Sequence, residues 1–323
     1  MTNRRQILAA LAATPALATP ALAQWSPSRS MRLVVPFPAG GSPDVLTRLM
    51  APHAQAALGQ PVLVENRTGA GATVGSSFVA REAPDGHTVL AATISSLTAP
   101  FMMAPRPYDP VRDFRALSLL AITPTVLVTR PDFPARTVQE WHEVIRRNPG
   151  RFTFASGGVG NPAHLAGELY RSMTRADITH VAFRGSAPAL VELRAGRVDF
   201  SILDLPSAAA MIADRVVPAL AVGTAERLPT LPDLPTISES VAPGFEAYSW
   251  VMWWVAAATP DPIAARLMEV ANEALRQPDV QARGSQAGFL LRGTDAAAAR
   301  AHVAAESEKW GRIIRERNIT FEG

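Results

Sequence analysis

The chain has 323 residues, a formal net charge of +3 at pH 7 and no cysteine. The lack of cysteine excludes disulfides, thiolate metal sites and a cysteine nucleophile. Acidic residues are interspersed with the basic ones, so no basic stripe of the kind that binds nucleic acid is present. The length is sufficient for two lobes that each have a hydrophobic core.

The first 23 residues predict an export signal. Arg4 and Arg5 precede an apolar stretch that ends in Ala21-Leu22-Ala23, a small-x-small cleavage site. The paired arginines favour the twin-arginine route. A membrane anchor is the alternative, but prolines interrupt the stretch, which is marginal for the roughly 20 residues that cross a bilayer. We therefore expect a mature protein that is free in the periplasm.

Short apolar runs alternate with helical patterns along the rest of the chain. The predicted strands are residues 31–37, 61–65, 88–92, 152–155, 178–183, 198–203 and 219–222. This alternation predicts an α/β protein with mainly parallel sheets that helices cover on both faces.

Two proline-rich segments, 106–110 and 229–243, bracket the middle strands. We expect one lobe made of about 24–123 plus 244–323, and a second lobe made of about 124–243. The chain would cross between them near Leu117 to Val128 and near Tyr248 to Ala257. Two lobes joined in this way form a hinge, and the cleft between them is the natural ligand site.

Three loops have the pattern of a strand followed by glycine and a helix start. Ser42 is the predicted N-cap before Pro43, Asn161 is the predicted N-cap before Pro162, and Ser186 begins a looser version. The exposed amides of such helix ends suit a carboxylate or a phosphate. Any one of them could be an ordinary strand-to-helix turn. Three of them, all at the carboxyl ends of strands, favour a ligand site.

A fourth loop, residues 66–75, contains Gly-x-Gly-x-x-x-Gly after a strand, which suggests a dinucleotide fold. That fold needs an acidic residue about 20 positions further on to bind the ribose. The next strand ends at residues 91–96 without an acid. The sequence therefore favours an amide-lined loop that faces a small acid.

The polar residues near these loops do not form a catalytic set. His164 with Glu168 four residues later could be a base with an orienting carboxylate, or a structural pair. Ser156 lacks the first glycine of a Gly-x-Ser-x-Gly elbow. Asp204, at a strand end, could accept a hydrogen bond from a ligand amine or hydroxyl, or only fix a loop, and Asp44 suits its own helix dipole. We expect binding without catalysis, with no cofactor and no metal.

The order of motifs resembles the receptors of the tripartite tricarboxylate transporters, also called Bug-type receptors. The resemblance is carried by seven segments and covers nearly the whole chain after the leader. These segments are 35–44 (VPFPAGGSPD) with Arg48, 64–71 (VENRTGAG) with 84–88 (PDGHT), 155–160 (ASGGVG) with 164–168 (HLAGE), 180–188 (HVAFRGSAP) and 231–236 (LPDLPT).

The resemblance implies a two-lobed, hinge-closing fold of the type II periplasmic binding protein kind. It also implies that the protein delivers a small carboxylate to the membrane permease subunits of a tripartite transporter. Main-chain amides of the first two loops would hold the carboxylate, at Phe37, Pro38, Ala39, Gly40, Gly41, Ala70 and Gly71. The other lobe would contribute Ser156, His164, Phe183 and Asp204.

Two departures from the family pattern leave the ligand open. Ala72 stands where many relatives have glycine, and Ile94-Ser95-Ser96 replaces a variable stretch. Ser95 is counted among the expected ligand contacts. Arg184 is the one obvious cation of the loops, so dicarboxylates, amino acids and aromatic acids all remain candidates.

Two other functions stay open at this point. One is an oxidoreductase exported by the twin-arginine route with a nucleotide-type cofactor. The other is a sensory binding protein that acts on a signalling partner. We expect a monomer that binds no nucleic acid.

Overall fold

The computed structural model describes residues 25–321. The predicted export signal, residues 1–23, lies outside the described residues and stays a prediction. The strands are β1 Met31–Val35, β2 Val62–Asn66, β3 Thr88–Thr93, β4 Phe114–Thr129, β5 Phe152–Ser156, β6 Ile178–Ala182, β7 Phe200–Asp204, β8 Ala219–Val222, β9 Tyr248–Ala256 and β10 Leu290–Leu291.

Helices connect these strands. They are α1 Ser42–Leu58, α2 Thr73–Ala80, α3 Ile94–Thr98, α4 Val138–Arg147, α5 Pro162–Thr174, α6 Ser186–Arg194, α7 Leu205–Ala213, α8 Ile237–Ser240, α9 Asp261–Leu275, α10 Pro278–Gln286 and α11 Ala296–Glu316. Two short 3₁₀ helices, Ala70–Ala72 and Ala99–Met102, precede α2 and follow α3. None of the described helices has the length and the apolar content that crossing a membrane requires.

The strand order is β2-β1-β3-β9-β4-β7-β5-β6, with β8 and β10 also paired to β4. Strand β4 has 16 residues and lies between β9 and β7 in the sheet. Its first part, up to Pro124, pairs with β9, and its last part, from Thr125 to Thr129, pairs with β7. One continuous strand therefore joins the two halves of the sheet.

The α/β fold and all seven predicted strands are confirmed, and the sheet is mixed. The outer strands pair in parallel, β1 with β2 and β3, and β5 with β6 and β7. Strands β4 and β9 pair antiparallel with each other, with β4 also antiparallel to β7 and β9 to β3. Strand β4 leads the chain out of the first half of the sheet, and β9 brings it back. The two strands therefore run in opposite directions, which explains the antiparallel pairing at the centre of the sheet.

Helices cover both faces of the sheet. In β3, Leu90 packs in one hydrophobic cluster, while its neighbour Val89 packs in the cluster on the opposite face. In β4, Leu127 and Val126 are divided between faces in the same way. Successive side chains of a strand point to opposite faces, so these continuous apolar runs are buried on both sides.

The helix starts match the sequence prediction at one of three positions. The Asn161 side chain accepts a hydrogen bond of 2.9 Å from the His164 amide and caps α5, as predicted. The predictions for Ser42 and Ser186 are wrong. Ser42 and Ser186 are instead the first residues of α1 and α6. The N-caps are Gly41 and Gly185, which have no side chain to bond to the first turn.

Candidate ligand-binding site

A cavity of about 290 Å³ lies where the two halves of the sheet meet. The loop after β1 and the start of α1 contribute Phe37, Pro38, Gly41, Ser42 and Pro43, and the end of β3 with α3 contributes Thr93, Ile94 and Ser95. The central strands contribute Thr123, Ser249, Trp250 and Val251. Pro162 at the start of α5 and Asp204 at the end of β7 complete the lining.

The first loop is held in place by Asp44, which is almost fully buried. Its Oδ2 accepts a hydrogen bond of 2.9 Å from the Gly40 amide, and its Oδ1 accepts one of 2.8 Å from Asn66 Nδ2. Arg48 Nε lies 2.9 Å from the same carboxylate. Burial raises the pKa of Asp44, but hydrogen bonds from Arg48, Gly40 and Asn66 outweigh it and lower the pKa below its usual value. Asp44 is thus the ionised anchor of the first loop.

This arrangement decides which amides are available to a ligand. The Gly40 amide binds Asp44, and the Gly41 amide donates to the Pro38 carbonyl at 3.2 Å. The amides of Ala39 and Ser42 donate to no other described residue. Ser42 is the first residue of a 17-residue helix, so its amide lies at the positive end of the helix dipole. The helix end therefore presents a free donor beside the cavity.

The floor of the cavity is built from neighbouring strands. Thr123 of β4 pairs with Ser249 of β9, and Thr125, two residues further on, pairs with Asp204 of β7. Ser249 Oγ donates a hydrogen bond of 2.7 Å to Asp204 Oδ1. Asp204 is partly accessible from the cavity, and its deep position raises its pKa to about 6, against a smaller lowering by the Ser249 hydroxyl.

Trp250 forms an apolar wall whose orientation is fixed from behind. Its Nε1 donates to Glu306 Oε2 at 3.2 Å, and Trp310 Nε1 donates to the same oxygen at 2.8 Å. Lys309 forms an ion pair with the other oxygen of Glu306. The buried Glu306 carboxylate therefore has charged and neutral donors and holds the indole of Trp250 in place.

The predicted second-lobe residues Ser156, His164 and Phe183 do not line this cavity. Ser156 is buried, and its Oγ lies 2.7 Å from His180 Nε2. His164 Nδ1 accepts a hydrogen bond of 2.9 Å from the Gly160 amide, and its Nε2 lies 3.8 Å from Glu168 Oε1. Burial lowers the pKa of His164 to about 4, so the side chain is a neutral structural element of α5.

The second loop also lies away from the cavity lining. Ala70 and Gly71 are exposed and have positive φ values of 44° and 63°. A Cβ atom on Gly71 would lie 2.8 Å from the Phe321 ring, and one on Gly160 would lie 3.5 Å from it. Phe321 also donates its amide to the Met102 carbonyl at 3.2 Å. The ring of Phe321 therefore lies between the glycine loops of Gly71 and Gly160.

Of the residues proposed from the sequence, five line the cavity: Phe37, Pro38, Gly41, Ser95 and Asp204. The others, Ala39, Gly40, Ala70, Gly71, Ser156, His164 and Phe183, lie outside its lining. Sequence reasoning assigned Ser42, Pro43 and Pro162 to helix starts, and Trp250 to a segment that crosses between the lobes. It gave no signal for Thr123 and Ser249, because strand pairing alone brings them to Asp204.

The cavity has a negative rather than a positive side chain, which is unusual for a site that binds a carboxylate. Asp204 is the only charged residue among the described residues that line it, and Arg184 is exposed elsewhere. No group of three or more histidine, aspartate and glutamate residues in the described part of the chain could hold a metal ion.

Residues 46–319 match the family described as the tripartite tricarboxylate transporter family receptor. The chain belongs to this receptor family. It is 33% identical to the protein BugT of Bordetella pertussis over 326 aligned residues, which cover 98% of each chain. The Bug-type resemblance seen in the sequence is thereby confirmed.

Two solved structures of similar chains carry ligands. A protein of R. palustris with adipate is 31% identical, with a TM-score of 0.77, and the alignment covers 91% of this chain and 99% of that one. MatC from Rhodopseudomonas palustris with bound malate is also 31% identical, with a TM-score of 0.75 and coverage of 89% and 99%. The periplasmic binding protein BugD is 32% identical, with a TM-score of 0.74 and coverage of 91% and 99%, so the fold is the two-lobed fold of periplasmic binding proteins.

Proposed function

We propose that the protein is a periplasmic receptor that binds a small carboxylate in the cavity between its lobes. The observation that supports this most directly is the free Ser42 amide at the N-terminus of α1, beside a cavity of about 290 Å³. A helix N-terminus binds an anion through its amides and its dipole.

The relatives support the same ligand class and a partner. The similar chains with adipate and with malate bind small carboxylates in the same fold. Membership of the receptor family supports delivery of the ligand to the membrane components of a tripartite transporter. The protein would act by binding and release, without catalysis.

The lobes of this proposal are residues 24–123 plus 244–323 and residues 124–243. Pro162 and Asp204 come from the second lobe, while the helix end at Ser42 belongs to the first. A ligand that contacts both sides favours the closed form by the contacts that the open form lacks.

Calorimetric titration and thermal unfolding of the purified protein test this function. The protein is first unfolded, washed and refolded to remove any bound ligand, then screened with small carboxylates, amino acids, nucleotides and flavins. We expect a dose-dependent rise in Tm with one class of carboxylate, since a ligand at about 100 times its Kd stabilises the folded state by about 2.7 kcal/mol.

Other outcomes contradict the proposal in different ways. A rise in Tm with nucleotides or flavins alone would favour the exported oxidoreductase. A refolded protein that responds to no carboxylate would reject the carboxylate receptor. If the identified ligand were still taken up at the normal rate by cells that lack the protein, a sensory role would replace delivery.

A further inference from the structure

Asp204 has an unsatisfied oxygen at the second-lobe side of the cavity. Its Oδ1 accepts the hydrogen bond from Ser249, while its Oδ2 accepts none from any described residue. No arginine or lysine of the described chain forms an ion pair with it. A partly accessible carboxylate oxygen without a donor is suited to a hydrogen bond from a ligand.

The rest of the lining offers nothing that would neutralise a second negative charge on the ligand. The described residues of the lining include no arginine, lysine or histidine. The polar side chains near Asp204 are the hydroxyl groups of Thr123 and Ser249, and the latter is already bonded to Asp204. A ligand carboxylate at this end would therefore face the charge of Asp204 without compensation.

The walls between the two polar ends are apolar. Phe37, Ile94, Trp250 and Val251 line the space, and Pro162 closes it from the second lobe. The volume of about 290 Å³ is roughly twice that of an engineered cavity of about 150 Å³ that binds benzene. The space therefore fits one ring or a short aliphatic chain with a polar group at each end.

We infer that the ligand is a monocarboxylate with an apolar body and a hydroxyl or amino group at its far end, which donates to Asp204. This inference rests on the proposed function, because it places the carboxylate at the N-terminus of α1. It separates this receptor from its similar chains with adipate and malate, whose ligands carry two carboxylates.

Two matched series of acids test the inference by calorimetric titration at pH 7.5. One contains hexanoate, 6-hydroxyhexanoate, 6-aminohexanoate and adipate, and the other contains benzoate, 4-hydroxybenzoate, 4-(aminomethyl)benzoate and terephthalate. Within the series that binds, we expect the hydroxy or amino acid to bind at least about tenfold more tightly than the dicarboxylate, with the unsubstituted acid between them.

The variant Asp204→Asn removes the negative charge without changing the size of the side chain. The asparagine keeps an oxygen for Ser249 and adds an amide donor. We expect it to bind the dicarboxylate more tightly and the amino acid more weakly than the unmodified protein. Asp214→Asn is the control, because it removes the same charge at the exposed C-terminal end of α7, the helix that follows Asp204. This control should leave all affinities unchanged.

The outcomes distinguish the inference from the proposed function. If adipate or terephthalate binds the unmodified protein as tightly as the hydroxy and amino acids, the inference is overturned and the carboxylate receptor stands. If Asp204→Asn still binds the hydroxy or amino acid more tightly than the dicarboxylate, Asp204 is not the group that contacts the far end of the ligand. If no acid of either series binds the refolded protein, both the inference and the proposed function fail.

Discussion

The imidazole rings of His164 and His180 are stacked, with centroids 3.8 Å apart and planes inclined by 13°. Burial, and then the charge of Arg171, lowers the pKa of His164 to about 4. For His180, burial comes first, and with its neighbours it lowers the pKa to about 3. Two stacked imidazoles cannot both become charged at this distance without strong repulsion, so the pair is neutral at pH 7.

The first prediction is that acid weakens the fold through this pair. In the unfolded chain a histidine takes up a proton near pH 6.5, while in the folded protein these two resist protonation down to about pH 4 and about pH 3. Between these limits the unfolded state binds more protons, so the free energy of unfolding falls as the pH falls below 6.5. Urea unfolding at pH 7.5, 6.0 and 5.0 measures the loss.

The double variant His164→Asn with His180→Gln is the control for this prediction. Asparagine reproduces the position of Nδ1, which accepts from Gly160, and glutamine that of Nε2, which meets Ser156. We expect the variant to lose less stability between pH 7.5 and 5.0 than the unmodified protein. Equal losses in the two proteins would show that other groups cause the acid sensitivity.

The second prediction concerns the anion-binding amide. Ser42→Pro removes the N–H of the first residue of α1, where proline is well tolerated, and Gly41 before it already has φ −70° and ψ 159°. A hydrogen bond to a charged group contributes about 1.5–3 kcal/mol. We expect Kd for the carboxylate ligand to rise about 10- to 100-fold, measured by calorimetry.

Ser42→Ala separates the amide from the hydroxyl in this test. It removes the hydroxyl group and keeps the N–H, so its affinity should stay within a few-fold of the unmodified protein. Equal weakening in both variants would assign the contact to the hydroxyl. An unchanged Kd in Ser42→Pro, with an unchanged Tm, would place the carboxylate elsewhere.

The third prediction compares two glycines inside helices. A Cβ at Gly167 of α5 would lie 2.1 Å from the ring of the fully buried Phe154. Overpacking of a core costs about 1–3 kcal/mol and occasionally more. That cost exceeds the gain of up to about 1 kcal/mol that alanine brings to a helix. We expect Gly167→Ala to lower the free energy of unfolding in urea.

Gly311 of α11 is the matched control, for which we expect the opposite sign. Its Cβ would meet the flexible end of Arg315 at 3.3 Å and the Phe101 ring at 3.8 Å. The helix preference for alanine then decides, and Gly311→Ala should be neutral or stabilise the protein by up to about 1 kcal/mol. A destabilised Gly311→Ala, or an unaffected Gly167→Ala, would contradict the packing argument.

The fourth prediction uses Trp250 as a reporter of binding. Its indole is buried, lines the cavity and is fixed by the hydrogen bond to Glu306, so a ligand in the cavity packs against the indole and changes its surroundings. We expect tryptophan emission to change with the same Kd that calorimetry gives. The change should be lost in Trp250→Phe, while Trp310→Phe, which alters an indole on the far side of Glu306, should retain it.

The strands and the class of fold were predictable because apolar runs of strand length are a local signal. The start of α5 was predictable for the same reason, since Asn161 and His164 are three residues apart. The roles of Asp44 and Asp204 depend on hydrogen bonds from residues that are distant in the chain. Asn66 donates to Asp44, and Ser249 donates to Asp204. No local pattern records which strand lies beside which, so the floor of the cavity became visible only in the folded chain.

Strand β4 also fixes which face of the sheet the side chains point to on either side of the junction between β9 and β7. The strand pairs with β9 from Ala121 to Pro124 and with β7 from Thr125 to Thr129, each time without a register shift, so the two stretches follow directly on one another. A single inserted or deleted residue near Thr123 would turn every later side chain of the strand to the opposite face. Val126 and Leu127 would exchange their clusters, and Asp204 would lose its register with the cavity. The number of residues in this segment is therefore fixed more strictly than their identity.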